Sequence, residues 1–97
     1  MKLVWSAFAL SDRGEIYDYI ESESPRSAAM MDKRISESVE LLLDFPESGR
    51  LGRVKGTREC VIPRSPYIGA YIVTGEVIRI LRVLHGAQLW PEEFTGS

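Results

Sequence analysis

The sequence predicts an α+β fold in the order strand–helix–helix–strand–strand–strand, with a helical hairpin packed on one face of a small, mostly antiparallel sheet. Three observations carry this reading. Tyr67–Val73 and Val77–His85 are rich in β-branched and aromatic residues and flank the connector Thr74-Gly75-Glu76. Such runs suit a half-buried pleat, and glycine takes the positive φ that a tight hairpin turn needs. Ala28, Met31, Ile35, Val39, Leu42 and Phe45 recur at helical spacing. Pro46, Pro63 and Pro66 fall between these segments, where a missing N–H does least harm. The 97 residues are read as one domain spanning 1–97.

Lys2–Trp5 is a short apolar run that reads as the first strand. Ser6 is placed to cap a helix over Phe8–Ser22, its hydroxyl accepting an orphan backbone N–H. Phe8, Ala9, Ile16, Tyr17, Tyr19 and Ile20 mark that helix's apolar side, with Asp12, Arg13, Glu15 and Asp18 toward water. Gly14 weakens the helix by about 1 kcal/mol relative to alanine. Ser24-Pro25 starts a second helix, because proline suits the first helical position. Leu41 and Leu43 widen its apolar stripe, Lys33, Arg34, Glu37 and Glu40 face away, and Pro46 ends it after Phe45.

Residues 46–56 read as a mobile glycine-rich basic loop beside a groove, without phosphate-loop spacing. Thr57–Ile62 reads as a strand. In Val77–His85, strict alternation puts Val77, Arg79, Leu81, Val83 and His85 on one face and Ile78, Ile80, Arg82 and Leu84 on the other. So apolar a run implies an interior strand. The tail Gly86–Ser97, with Trp90 and Pro91, is expected to lie across the domain.

Composition excludes several classes. No stretch is long enough for a membrane span, and the first six residues turn polar too soon for a signal peptide. The single cysteine, Cys60, cannot form an internal disulfide; it fits a reducing cytoplasm and reads as a buried, inert thiol. There is no Cys/His metal spacing, no Ser–His–Asp signature and no aromatic RNA-binding strand motif, so no cofactor is expected. Charge is split along the chain. Residues 1–48 hold 5 Lys/Arg against 10 Asp/Glu, and residues 49–85 hold 7 against 2. The basic half suits an anionic partner, or it is simply a solvated surface.

With these elements in order, the chain resembles the RelE/ParE superfamily of bacterial type II toxins. The resemblance rests on Leu3-Val4-Trp5-Ser6 and Asp18-Tyr19-Ile20, then Asp44-Phe45-Pro46-Glu47-Ser48-Gly49-Arg50, then Gly56-Thr57-Arg58-Glu59. Pro66-Tyr67, Tyr71, Ile80-Leu81-Arg82-Val83-Leu84-His85-Gly86 and Trp90-Pro91 complete it. It implies a growth-inhibiting toxin neutralised by a cognate antitoxin, which lays a helix or extended segment over the toxin's helices and exposed sheet face.

Two mechanisms divide the superfamily. ParE-like members inhibit DNA gyrase by binding, and RelE-like members cleave mRNA on the ribosome. Cleavage by a 2′-hydroxyl needs a base, a charge stabiliser and an acid around one phosphate. The residues in question here are Arg58, Glu59, Arg64, Arg82 and His85, with Arg58, Arg82 and His85 as the catalytic set if the chain is a nuclease. Strand parity and the basic stretch place those three near the open sheet face. Arg82 is read either as catalytic or as a bridge from sheet to helix or antitoxin carboxylates, and His85 either as an acid or as a satisfied histidine at a strand end. Many nucleolytic members carry an arginine where this chain has Ile68, and their basic or tyrosine-bearing tail is replaced by Ala87–Phe94. The resemblance therefore favours ParE-like binding, with mRNA cleavage as the alternative.

Overall fold

The computed structural model describes residues 1–87; the expected course of the tail beyond Ala87 lies outside them. The elements are β1 (Lys2–Trp5), α1 (Ala7–Glu21), α2 (Pro25–Glu40), a 3-10 turn (Leu41–Leu43), β2 (Arg50–Leu51), β3 (Arg58–Val61), β4 (Tyr67–Thr74) and β5 (Val77–His85). One sheet forms in the order β1-β5-β4-β3-β2. β1 runs parallel to β5, and the other neighbours are antiparallel. The strand β2 falls in the segment read as loop, and two residues are too few to show a period.

Both helix starts follow the local chemistry. Ser6 Oγ accepts the Ala9 N–H at 3.0 Å and Ser24 Oγ the Ser27 N–H at 3.2 Å, with Pro25 opening the second helix. A cap of this kind stabilises a helix by about 1 kcal/mol. The β4–β5 turn places Gly75 at φ 60°, the conformation that a primed hairpin turn reserves for glycine.

The main core lies between the helices and the sheet. Ile35, Val39 and Leu42 meet Tyr71, Ile78, Ile80 and Val83 there. α2 tightens into the 3-10 turn after Glu40, which rotates the side chains that follow. Leu42 therefore stays buried, while Leu41, Leu43 and Phe45 are exposed, against the expected stripe.

α1 departs further from its expected face. Phe8 and Tyr19 are exposed, and the buried residues of the helix are Ala9 and Asp12. Ile16 packs against the core beside Ala9, and polar groups supply much of the rest of the docking. Arg13 donates through Nε and Nη2 to Asp32 on α2, at 3.0 and 2.9 Å, and its guanidinium lies 4.6 Å over the Trp5 ring. Asp12 and Arg13, expected in water, are anchors instead.

The alternation of β5 breaks at a bulge. Tyr71 faces Ile80 and Ala70 faces Arg82, which leaves Leu81 with no opposite residue. One extra residue reverses the facing of everything after it. Val83 thus joins Ile78 and Ile80 in the helix-side core, and Leu81 joins Leu84 and Ala70 on the far face. The far face was expected to be partly open. Val54, from the β2–β3 connection, packs onto this second cluster instead.

Candidate functional site

β1 stops at Trp5 while β5 continues to His85, so the edge of β5 beyond Ile80 has no strand beside it. An uncovered edge leaves backbone groups to satisfy. The start of α1 supplies the partners. Ser6 N–H donates to the Ile80 carbonyl at 2.9 Å, and Ser6 Oγ donates to the Leu81 carbonyl at 2.8 Å. Asp12 Oδ2 accepts the Val83 N–H at 2.9 Å. The same carboxylate takes both prongs of Arg82, Nε at 2.8 Å and Nη2 at 2.9 Å. The Phe8 ring lies against the guanidinium, 5.8 Å away. The hydrogen bond to Asp12 pushes the Arg82 pKa above its ordinary value, although burial acts the other way. A bidentate pair aligned to a backbone N–H is among the stronger polar contacts available to a protein.

A cleft of about 260 Å³ opens beside this pair, bordered by Asp12, Tyr19, Tyr67, Arg82 and His85. His85 faces Tyr67 edge-on, with ring centroids 5.9 Å apart, and its Nδ1 accepts the Ala87 N–H at 3.1 Å. That bond places the proton of the neutral ring on Nε2. Burial pushes the Tyr67 hydroxyl up, and the neighbouring Tyr19 adds to the shift.

A second polar cluster sits across the sheet. Glu59, 2% exposed, accepts Arg50 Nε at 3.0 Å and the Arg53 N–H at 2.9 Å. Arg58 lies in register with Tyr71 and donates to the carbonyls of Glu47 and Gly49 at 3.2 and 2.8 Å. Tyr71 donates its hydroxyl to the Pro46 carbonyl and accepts the Gly49 N–H, each at 2.9 Å. Gly49 is required there: a Cβ would lie 2.7 Å from the tyrosine ring and 2.9 Å from the Glu59 carbonyl oxygen.

The five residues named from sequence do not form one constellation. Arg82 and His85 border the same cleft. Arg58 is on the other side of β4, and Glu59 shares the opposite face with Ala70. Arg64 occupies the β3–β4 turn at φ 54°, where its carbonyl accepts Arg34 Nη1 at 3.2 Å. Arg58 and His85 pair with Tyr71 and Tyr67 of the helix-side core, and Arg82 turns to α1. Arg82 stands opposite Ala70 of the far-face cluster, while Arg58 and His85 stand opposite helix-side tyrosines, so the three do not share one face. Asp12 escaped the sequence reading altogether. Its partner lies 70 residues away, and nothing local marks it as buried. Cys60 is half-buried with Sγ 3.8 Å from the Ser38 carbonyl, and burial pushes its thiol up, which disfavours the reactive thiolate. Among the described residues, no group of three or more His, Cys, Asp or Glu is placed to hold a metal, and no helix is long and apolar enough to cross a membrane.

A further surface groove, about 460 Å³, runs between the outer side of α2 and the β3–β4 turn. Met30 and Leu41 supply its exposed apolar surface, with the cations Lys33, Arg34 and Arg64 and one carboxylate, Glu37, around them.

A helical hairpin on a mixed sheet, with charged clusters and a shallow groove around it, defines a small α+β domain. Residues 3–90 match the family described as the ParE toxin of the type II toxin–antitoxin system, parDE. The chain is 42% identical over 91 residues to the putative toxin Y4kP of Sinorhizobium fredii, covering 94% of each chain. It is 35% identical over 88 residues to Toxin RelE2 of Caulobacter vibrioides, covering 91% of this chain and 98% of the relative. It superposes with a TM-score of 0.79, at 32% identity, on a chain from the chromosomal ParDE toxin–antitoxin system of P. aeruginosa, covering 88% and 95%. The chain belongs to the ParE toxin family, within the RelE/ParE superfamily. It is the toxin of a type II module, and its partner is an antitoxin protein.

Proposed function

We propose that this toxin arrests growth by binding DNA gyrase, in the cytoplasm, and performs no catalysis. The supporting observation is how its arginines are committed. Arg82 gives both prongs to Asp12, and Arg58 gives its guanidinium to two loop carbonyls across β4. Cleavage of RNA would need these groups converged on one phosphate. Binding needs no such convergence.

The test is a side-by-side assay of gyrase supercoiling and ribosomal mRNA cleavage on one preparation. Inhibited supercoiling with intact mRNA is the expected result, and the reverse outcome overturns the proposal. The mRNA-cleaving reading has one point in its favour, the shared cleft of Arg82 and His85. His85→Gln separates the two. Growth arrest survives this change if binding is the mechanism and is lost if His85 is an acid.

The antitoxin is proposed to dock in the α2 groove. Exposed Met30 and Leu41 flanked by Lys33, Arg34 and Arg64 suit an acidic amphipathic segment with apolar anchors. Leu41→Glu should leave folding intact, because Leu41 is 59% exposed, and should weaken co-purification of the antitoxin. Unchanged co-purification would move the docking face elsewhere.

A further inference from the structure

We infer that the segment Arg50–Thr57 is a preformed binding element for the phosphodiester backbone of duplex DNA, and that Glu59 is the positioning residue that holds it. The inference takes its setting from the gyrase reading, since gyrase presents DNA. Its argument stands on the segment itself.

Far from mobile, the segment is fastened along its length. Gly52 N–H donates to the Thr57 carbonyl at 2.8 Å, and Thr57 Oγ1 donates to the Val54 carbonyl at 2.6 Å. Val54 packs onto Ala70, Leu81 and Leu84. Arg53 Nη2 donates to the Gly86 carbonyl at 2.7 Å, tying the segment to the end of β5. Glu59 joins the two sides through Arg50 and the Arg53 backbone.

A buried carboxylate is an expensive fastener. Removing it from water carries a penalty that an apolar plug of similar size avoids. Val54 already provides such a plug. What the carboxylate adds is direction. It fixes Arg50 through Nε and Nη2, at 3.0 and 2.9 Å, while that side chain stays 56% exposed. A guanidinium has five N–H donors, so further donors remain for a ligand. Lys55, in the turn closed by the Gly52–Thr57 bond, is exposed.

The charge pattern selects the ligand. Residues 50–58 contain Arg50, Arg53, Lys55 and Arg58 and no acidic residue. Two carboxylates lie near them: Glu59, buried beneath, and the exposed Glu47, 3.9 Å from Arg58 at the edge of the segment. Gly56, at φ 87°, has open space where a Cβ would stand and leaves the backbone unobstructed for close approach, whereas Gly52 is packed against Thr57 within the segment. Residues 1–48 carry the acidic excess of the chain, which disfavours a polyanion there relative to the basic segment.

The experiment titrates the intact toxin into a short fluorescent DNA duplex, without gyrase, between about 50 and 200 mM salt. Binding is expected to weaken with salt, at about 0.9 in log–log slope for each phosphate contacted. Replacing Arg50 and Lys55 together by glutamine should reduce the slope by about 2. Glu59→Gln supplies the decisive sign. It makes the toxin more positive, so a Glu59 acting only as a nearby charge would strengthen binding when neutralised. As a positioning residue it weakens binding instead, and trypsin cuts faster after Arg53 and Lys55. Thermal melting and antitoxin capture serve as folding controls.

Tighter or unchanged duplex binding by Glu59→Gln overturns the positioning role. Absence of duplex binding, preference for single-stranded RNA, or competition by an acidic polypeptide alone overturns the ligand. A wild-type toxin that binds duplex yet leaves gyrase untouched counts against the gyrase proposal and not against this one.

Discussion

Asp12 and Glu59 are the buried carboxylates of the described chain, and each accepts from an arginine and from one backbone N–H. Their chemistry is alike and their reach is not. Asp12 joins α1 to β5 across 70 residues, and its arginine is largely covered, with 24% of the side chain exposed. Glu59 joins residues 9 apart, and its arginine is 56% exposed. The first therefore replaces a missing strand neighbour and holds the fold together. The second shapes a local segment and leaves its cation facing outward. A buried ion pair is informative only when its span and the exposure of its partner are known.

Four predictions sharpen or break that contrast. Asp12→Ala should have the largest effect, a loss of about 3 kcal/mol in urea unfolding, because it strands a largely covered guanidinium and the Val83 N–H. Glu59→Ala should cost about 1–2 kcal/mol of global stability, since Arg50 regains water easily. If the two losses are equal, the division between global and local clasp fails.

Ser6→Ala should cost about 1 kcal/mol through the lost helix cap, with a further increment from its bond to Leu81. A thermal melt reads this directly, and a change below the error of the measurement would deny Ser6 its part in the Asp12 region.

The smallest effect is in alkali. Burial pushes Tyr67 and Tyr71 above the ordinary 10.0 and Cys60 above 9.0. The unfolded chain then loses these protons first, so it binds fewer protons than the folded chain and stability falls as pH rises. The contribution is complete below about pH 9 and is lost as pH climbs through 10 and beyond. A flat unfolding free energy across that window would contradict the burial of these groups.

Several features of the architecture are legible locally. Ser6 and the Ser24-Pro25 pair begin their helices where an orphan N–H calls for an oxygen acceptor or tolerates proline. Gly75 turns the hairpin because it alone accepts the required φ without strain. The apolar run of β5 marks an interior strand before any partner is known. Long-range features escaped. β2 is two residues long and exists through its pairing with β3. The bulge at Leu81 belongs to the register between β4 and β5, so alternation counted along β5 alone misplaced Val83 and His85. Val54 looked like one apolar residue in a polar loop, and only the far-face cluster explains it.

What the sequence determined by itself is the two helices and the strands other than β2, their order and the family, because caps, turns and periodicity act over a few residues. Tertiary structure decided which charges are buried and which cations face a partner. A carboxylate at position 12 or 59 is indistinguishable from its solvated neighbours until an arginine, a backbone N–H and the exclusion of water arrive from elsewhere in the fold.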